Sequence, residues 1–162
     1  EIRTLHAWCF VRLHGSVIGV IGRTDMEKPV VRMWLFGIII LIEMVVLEAI
    51  RRQWPDGSWT ALLSAGRLER ATALQAERAR RGYEAGLLDC LQFADKLQLC
   101  THSEAFLRAA GFDTAAAARR AIKDLESLRN NLAHGQDITR QDWAPIVRLA
   151  RRVQNNLAVA SA

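Results

Sequence analysis

The sequence predicts an all-α protein, an up-and-down bundle of four to five helices with a short β-hairpin at its N-terminus. Three observations predict it. The 162 residues include only 10 Gly and 3 Pro, while Ala, Leu and Arg, all good helix formers, are abundant. From about position 30 onward, apolar residues recur at steps of three and four, the period of one helix face. Short breaker segments such as "WPDG" divide the chain, and short loops between helices make neighbours antiparallel. A hydrophobic share of 51% supplies a real core, which excludes a globally disordered chain.

Residues 1–28 read differently. "AWCFVRL", then "HGS", then "VIGVIG" spell a strand, a glycine turn and a second strand. Two strands alone do not make a stable sheet. They are expected to pair with another chain, or with a further part of a longer protein, since the chain opens as if in mid-domain. "RTDMEKP" then begins a turn or helix, with Thr24 or Asp25 placed to cap it.

The first helix is predicted at about 30–53. It contains "MWLFGIIILIEMVVLEAI", 18 residues from Met33 to Ile50, about the length that raises a membrane span. Glu43 and Glu48 argue against one, because a carboxylate near the centre of a span costs about 2.5–3.5 kcal/mol. The expectation is a buried central helix or a dimer interface, with no membrane; a span is the alternative. A second helix is predicted from Ser58, as N-cap, to about Arg81, ended by Gly82. A third covers about 83–100, with Leu87, Leu88, Leu91, Ala94 and Leu97–Leu99 at helical spacing. The connector "THSEAFLRAAGFD" has room for a short helix. A fourth helix covers about 114–134 with Asp113 as N-cap, and a fifth about 139–158 with Thr139 as N-cap.

Net charge is +5 and uneven. Residues 1–50 hold five Lys/Arg and five Asp/Glu, so residues 51–162 carry the whole excess. Only Lys28, Lys96 and Lys123 are lysines. An arginine-rich surface suits phosphate, because the guanidinium fork matches its oxygens; ordinary solvated helix faces are the plain alternative. The three cysteines, Cys9, Cys90 and Cys100, are odd in number and lack CxxC spacing. They read as free thiols in a reducing compartment, so the expected location is the cytoplasm. No zinc-type cluster and no signal peptide is visible, and no cofactor is expected.

The stretch "SLRNNLAHGQD" carries the candidate chemistry. Ile122, Leu125, Leu128 and Leu132 form the buried stripe of the fourth helix, with Arg129 at its edge. Asn130 and His134 share another face. Arg129 and His134 are about 140° apart around an ideal helix, so one helix does not aim both at one atom. Either the helix loosens at Gly135, or two copies meet and complete a shared cleft. A histidine suits general acid–base work near neutral pH. An arginine beside it can hold a phosphate and stabilise developing charge. Together they could cleave RNA, which alone offers a 2′-OH as nucleophile. The plain readings are that His134 is only a helix C-cap and that Arg129 pairs with Glu126 or Asp137.

"LRNNLAH" resembles the Arg-x4-6-His motif of HEPN domains, in which a polar residue, often Asn, follows the Arg. The resemblance covers about residues 30–158, an all-helical bundle with a further amphipathic helix, marked by Trp143 and Ile146, after the motif. It implies a homodimer whose two motifs form a composite cleft, and a metal-independent endoribonuclease of the kind found in toxin–antitoxin and defence systems. On that resemblance Arg129 and His134 are catalytic and Asn130 orients them. Some members of the family only bind or dimerise. Gln136 stands where toxins of this family often carry Tyr. "GVIGRTD", Gly19–Asp25, resembles the closing strand and turn of a CBS domain, usually Gly-x-x-Thr-x-x-Asp, with Gly22 at the Thr position. It implies that residues 1–28 end such a module and residues 29–162 form the bundle. Gly19 and Asp25 would then be weak ligand-binding positions for an adenine nucleotide; the alternative is a dimerising hairpin with Asp25 as a helix cap.

Overall fold

The computed structural model describes residues 8–139 together with positions 143, 147 and 151. It is mostly helical, with a two-stranded antiparallel sheet at the N-terminus. Strand β1 (Trp8–Leu13) pairs with β2 (Ser16–Gly22). The two residues between them, His14 and Gly15, have φ of 48° and 84°. That is the left-handed pair of a type I′ turn, whose twist matches a hairpin. Val11 lies opposite Gly19 and Arg12 opposite Val17, so Ile18 is the extra residue of a bulge. Phe10, Leu13, Val17, Ile18, Val20 and Ile21 all stay exposed. A 3-10 turn (Arg23–Glu27) leads into α1 (Pro29–Gln53). Pro29 occupies the first helical position, where its missing N–H costs nothing.

The 25 residues of α1 extend roughly 37 Å. Leu35, Ile38, Ile39, Ile42, Val46 and Ile50 are buried on one face. That face packs against α3 (Phe93–Cys100) and α5 (Ala115–Ala133), which also touch each other. From α5 come Ala118, Ala121, Ile122, Leu125 and Leu128, and Ile138 beyond its end is fully buried. Helix α2 (Ala65–Arg80) buries only Ala71 and packs on a 3-10 turn, Leu87–Cys90. Helix α4 (Glu104–Ala110) is capped by Ser103, whose hydroxyl accepts the Phe106 N–H at 3.3 Å. Of the two expected placements of α1, a buried central helix or a dimer interface, burial is met on one face. Its opposite face, including Val30, Met33, Ile40 and Met44, is exposed. Among the described residues α1 is the one helix long and apolar enough, by length and composition, to cross a membrane.

Several boundaries differ from expectation. The helix predicted from Ser58 to Arg81 is two elements, a 3-10 turn (Ser58–Leu62) and α2. Leu63 and Ser64 are extended, with ψ of 150° and 149°, and break it. The helix predicted over 83–100 is a loop, a 3-10 turn and the eight-residue α3, because Leu91 and Gln92 are extended at ψ of 149° and 154°. The N-cap of α5 is Thr114 rather than Asp113; its hydroxyl accepts the Ala117 N–H at 3.1 Å. The fifth helix expected over 139–158 lies largely outside the described residues. Of it, positions 143, 147 and 151 are helical, and Trp143 packs against the core.

Two consecutive charges on α3 tie the helices together. Asp95 is 6% exposed and Lys96 4%. Lys96 Nζ donates to Glu43 Oε1 of α1 at 2.5 Å, and Arg67 Nε of α2 meets Asp95 Oδ1 at 3.1 Å. Arg67 also donates to Gln98 Oε1 at 2.6 Å. Among the described residues no buried side-chain nitrogen or oxygen lacks a partner. Cys90 and Cys100 are free and buried, and burial pushes the Cys100 thiol up to about 12. Breaking the α1–α3 pair from one side leaves Lys96 buried without its partner. Glu43→Ala is therefore expected to cost about 3 kcal/mol in urea unfolding. The double change Glu43→Leu with Lys96→Leu should recover most of that loss.

Candidate functional site

The C-terminal end of α5 carries the candidate residues. The helix closes with a glycine cap. Gly135 has φ of 66°, and the Gln136 N–H donates to Asn131 O at 2.8 Å. Such a reversal needs a left-handed residue, which glycine adopts without strain. His134 is the C-cap itself, with φ of −104° and ψ of 10°, and its N–H donates to Asn130 O at 3.0 Å.

What holds this end is a cation from α1. Arg32 Nη2 donates to Asn131 O at 2.9 Å, and Arg32 Nη1 to Gln136 O at 3.0 Å. Asn131 O is one of the last carbonyls of α5 and Gln136 O lies just beyond the helix, where positive charge is favourable. Glu27 fixes the guanidinium: its Oε2 accepts from Arg32 Nη1 at 2.6 Å, and its Oε1 accepts the Ile138 N–H at 2.8 Å. Arg23 Nη1 also reaches Thr139 O at 3.4 Å. Just before it, Asp137 Oδ1 accepts the Thr139 N–H and hydroxyl, both at 2.7 Å.

Arg129, Asn130 and His134 are all exposed. Arg129 therefore does not lie within the buried stripe, as its angular position suggested, because the helix end leaves its side open. Arg129 Nη1 donates to Asn130 Oδ1 at 3.2 Å, so the Asn carboxamide steadies the guanidinium. The structure does not bring Arg129 and His134 together: among the described residues no hydrogen bond joins their side chains. The imidazole of His134 makes none either, so its side chain is not what caps α5. Arg32 performs that task. His134 instead ends an exposed face of α5 with Arg120, Lys123, Ser127 and Asn130 at steps of three and four. Asp124 and Glu126 flank that face, half-buried.

The two weaker positions lie at the other end of the chain. Gly19 sits in β2 opposite Val11 at the bulge. The carboxylate of Asp25 meets Lys28 Nζ at 2.6 Å and accepts the Gly22 N–H at 2.6 Å. Lys28 first, and then the Gly22 amide, hold its acid below the usual carboxylate range. Asp25 therefore caps the 3-10 turn. The open groove beside α2, lined by residues such as Thr72, Gln75, Tyr83 and Glu84, includes none of these side chains. Among the described residues no group of three or more His, Cys, Asp or Glu is placed to hold a metal ion.

Sequence reasoning missed Arg32 and Glu27. The available signal was a lone arginine in the first turn of an otherwise apolar helix, five residues after a glutamate. Its target lies 104 residues away, which no local pattern reveals. Arg32→Met should cost about 2 kcal/mol, since it removes the donor to the carbonyls of Asn131 and Gln136 together with the cation that pairs with Glu27. Hydrogen exchange should then quicken at the amides of Gln136 and Ile138, while those of Ile42 and Val46 remain protected. No known protein family, no curated protein and no solved structure matches this chain.

Proposed function

We propose that the chain is a HEPN-type, metal-independent endoribonuclease that works as a homodimer, preceded by the end of a CBS-like module over residues 1–28. The observation that carries this reading is the exposed face of α5, where Arg120 and Lys123 lead to Asn130 and to an imidazole left free by the Arg32 cap. Cationic side chains along a helix follow a phosphate backbone. A free imidazole at the end of that track is placed to exchange a proton with a bound ribose.

The chemistry follows from these groups. His134 takes the proton of the ribose 2′-OH. The 2′ oxygen forms a bond to the adjacent phosphorus, and the bond from phosphorus to the 5′ oxygen breaks. The departing oxygen takes a proton from an imidazolium or from water. Products are a 2′,3′-cyclic phosphate and a 5′-OH. Arg129, steadied by Asn130, neutralises the charge that builds on the phosphate oxygens. Because Arg129 and His134 diverge on α5, the cleft takes each from a different copy. The adenine-nucleotide reading of the upstream module rests on Gly19 and Asp25, and the carboxylate of Asp25 is already engaged by Lys28.

A second reading is a non-catalytic HEPN/CBS regulatory and dimerisation module. The apolar outer face of α1, beside an arginine and histidine that do not meet, favours it. An assay with end-labelled RNA, in the presence of chelator, separates the two. The ribonuclease reading expects cyclic-phosphate ends from RNA and no cleavage of DNA of the same sequence. It expects His134→Ala and Arg129→Ala each to lose about 100-fold or more, with Asn130→Ala less severe. Undiminished cleavage by both alanine variants sinks it, and a wild type that cuts no RNA leaves the binding module.

A further inference from the structure

Resting on the ribonuclease reading of His134, we propose that Glu27 and Arg32 are positioning residues for that histidine. The turn that carries them couples His134 to the N-terminal hairpin.

The backbone around His134 is gripped by one short segment, residues 23–32. Before the histidine, Arg32 Nη2 donates to Asn131 O at 2.9 Å and to Leu132 O at 3.5 Å. After it, Arg32 Nη1 donates to Gln136 O at 3.0 Å, Glu27 Oε1 accepts the Ile138 N–H at 2.8 Å, and Arg23 Nη1 donates to Thr139 O at 3.4 Å. These contacts straddle His134 and Gly135, so the two residues form a bridge held at both ends. Glu27 Oε2 closes the clasp on Arg32 Nη1 at 2.6 Å, with the arginine side chain only 16% exposed. Salt screens a partly buried pair less than an open one.

Two features indicate that the grip sets position rather than only satisfying a helix end. Asn131 O already accepts the Gln136 N–H at 2.8 Å, and Asn130 O accepts the His134 N–H at 3.0 Å. The glycine cap thus closes α5 with amides of its own, and the second donor on Asn131 O adds a fixed direction. Gly135 supplies the freedom that has to be fixed. Its φ is 66°, and nothing lies within 4 Å of where its Cβ would stand. A glycine with open space around it turns readily, so the chain on either side of it needs an outside hold.

The other end of the clasp is the hairpin. Strand β2 ends at Gly22 and the 3-10 turn begins at Arg23. The Asp25 carboxylate accepts the Gly22 N–H at 2.6 Å and pairs with Lys28 Nζ at 2.6 Å, which ties the end of the strand across the turn to the start of α1. Met26 packs against the core and gives the turn a fixed pivot. A change in the direction of β2 therefore passes to Arg23 and Glu27, and from them to Ile138 and Thr139. Coupling needs contiguous contacts and an element with two arrangements. The hairpin is that element, because two strands alone are marginal and so can be closed or open.

The test uses the full chain, read by NMR of the His134 ring, by hydrogen exchange and by RNA cleavage. Glu27→Ala should quicken exchange at Ile138 by about 10-fold or more and shift the His134 ring signals. It should lower kcat by about 10-fold or more while KM stays within about twofold. Glu27→Gln, which keeps an acceptor for the Ile138 amide, should fall between. His14→Val combined with Gly15→Val forces β-branched residues into φ of 48° and 84° and opens the hairpin. That double variant should quicken exchange at Ile138 and shift the His134 signals in the same direction, with the amides of Ile42 and Val46 still protected. Leu74→Lys on α2 should change none of these. A Glu27→Ala protein that loses thermal stability but keeps its ring signals and kcat overturns the positioning role. An opened hairpin that leaves Ile138 and His134 unchanged overturns the coupling. A wild type that cuts no RNA ends the ribonuclease reading, and the ring signals and exchange then decide the clasp. Cleavage lost in His134→Ala yet intact in Glu27→Ala leaves the ribonuclease standing and ends this inference.

Discussion

Burial of one face of α1 is the constraint on which the described structure depends. Ile42, Val46 and Ile50 are almost fully enclosed, and what encloses them is α3 and α5. Apolar burial of this kind is non-directional, so it draws the helices together without choosing their register. The polar contacts choose it. Lys96 must reach Glu43 and Asp95 must reach Arg67, which places α3 between α1 and α2 at one rotation. A buried charge without its partner is costly, and slipping α3 by one residue would strand both.

The same helix sets the end of α5 through Arg32. A helix C-terminus offers carbonyls that need donors, and two side chains could have supplied them. Arg32 does so from the side, locked by Glu27, and leaves the His134 imidazole in solvent. Glu27 also accepts the Ile138 amide, so one ion pair joins the start of α1, the end of α5 and the segment that follows it. The candidate site is thus a set of exposed side chains on a backbone held from behind, as precise chemistry requires of a scaffold.

The unequal faces of α1 connect fold to assembly. Its inner face is satisfied within one copy, and its outer face is as apolar but bare. The hairpin repeats the theme, since Val17, Ile18 and Ile21 stay exposed, and both strands keep an unpaired edge among the described residues. Both elements stand at the N-terminal side of the bundle, where the composition is neutral and apolar, while the arginine-rich remainder is well solvated.

The helical class, the hairpin with its glycine turn, the span of α1 and the end of α5 before Gly135 were legible in the sequence. Each depends on short-range physics: periodicity along one helix, a positive φ at Gly15, a proline at a helix start, a glycine after a helix end. The breaks at Leu63–Ser64 and Leu91–Gln92 were not legible, because apolar runs continue across them and only packing makes the backbone extended there. Nor could the sequence say that Arg129 would be exposed, that Arg32 would cap α5, or which face of α1 would be buried. An apolar helix looks alike from all sides until α3 and α5 are set against it, and a guanidinium finds its carbonyls only once residues a hundred positions apart are neighbours. Local patterning determined the elements; the pairing of distant charges and the choice between two equally apolar faces belong to the tertiary structure, because those energies exist only between elements.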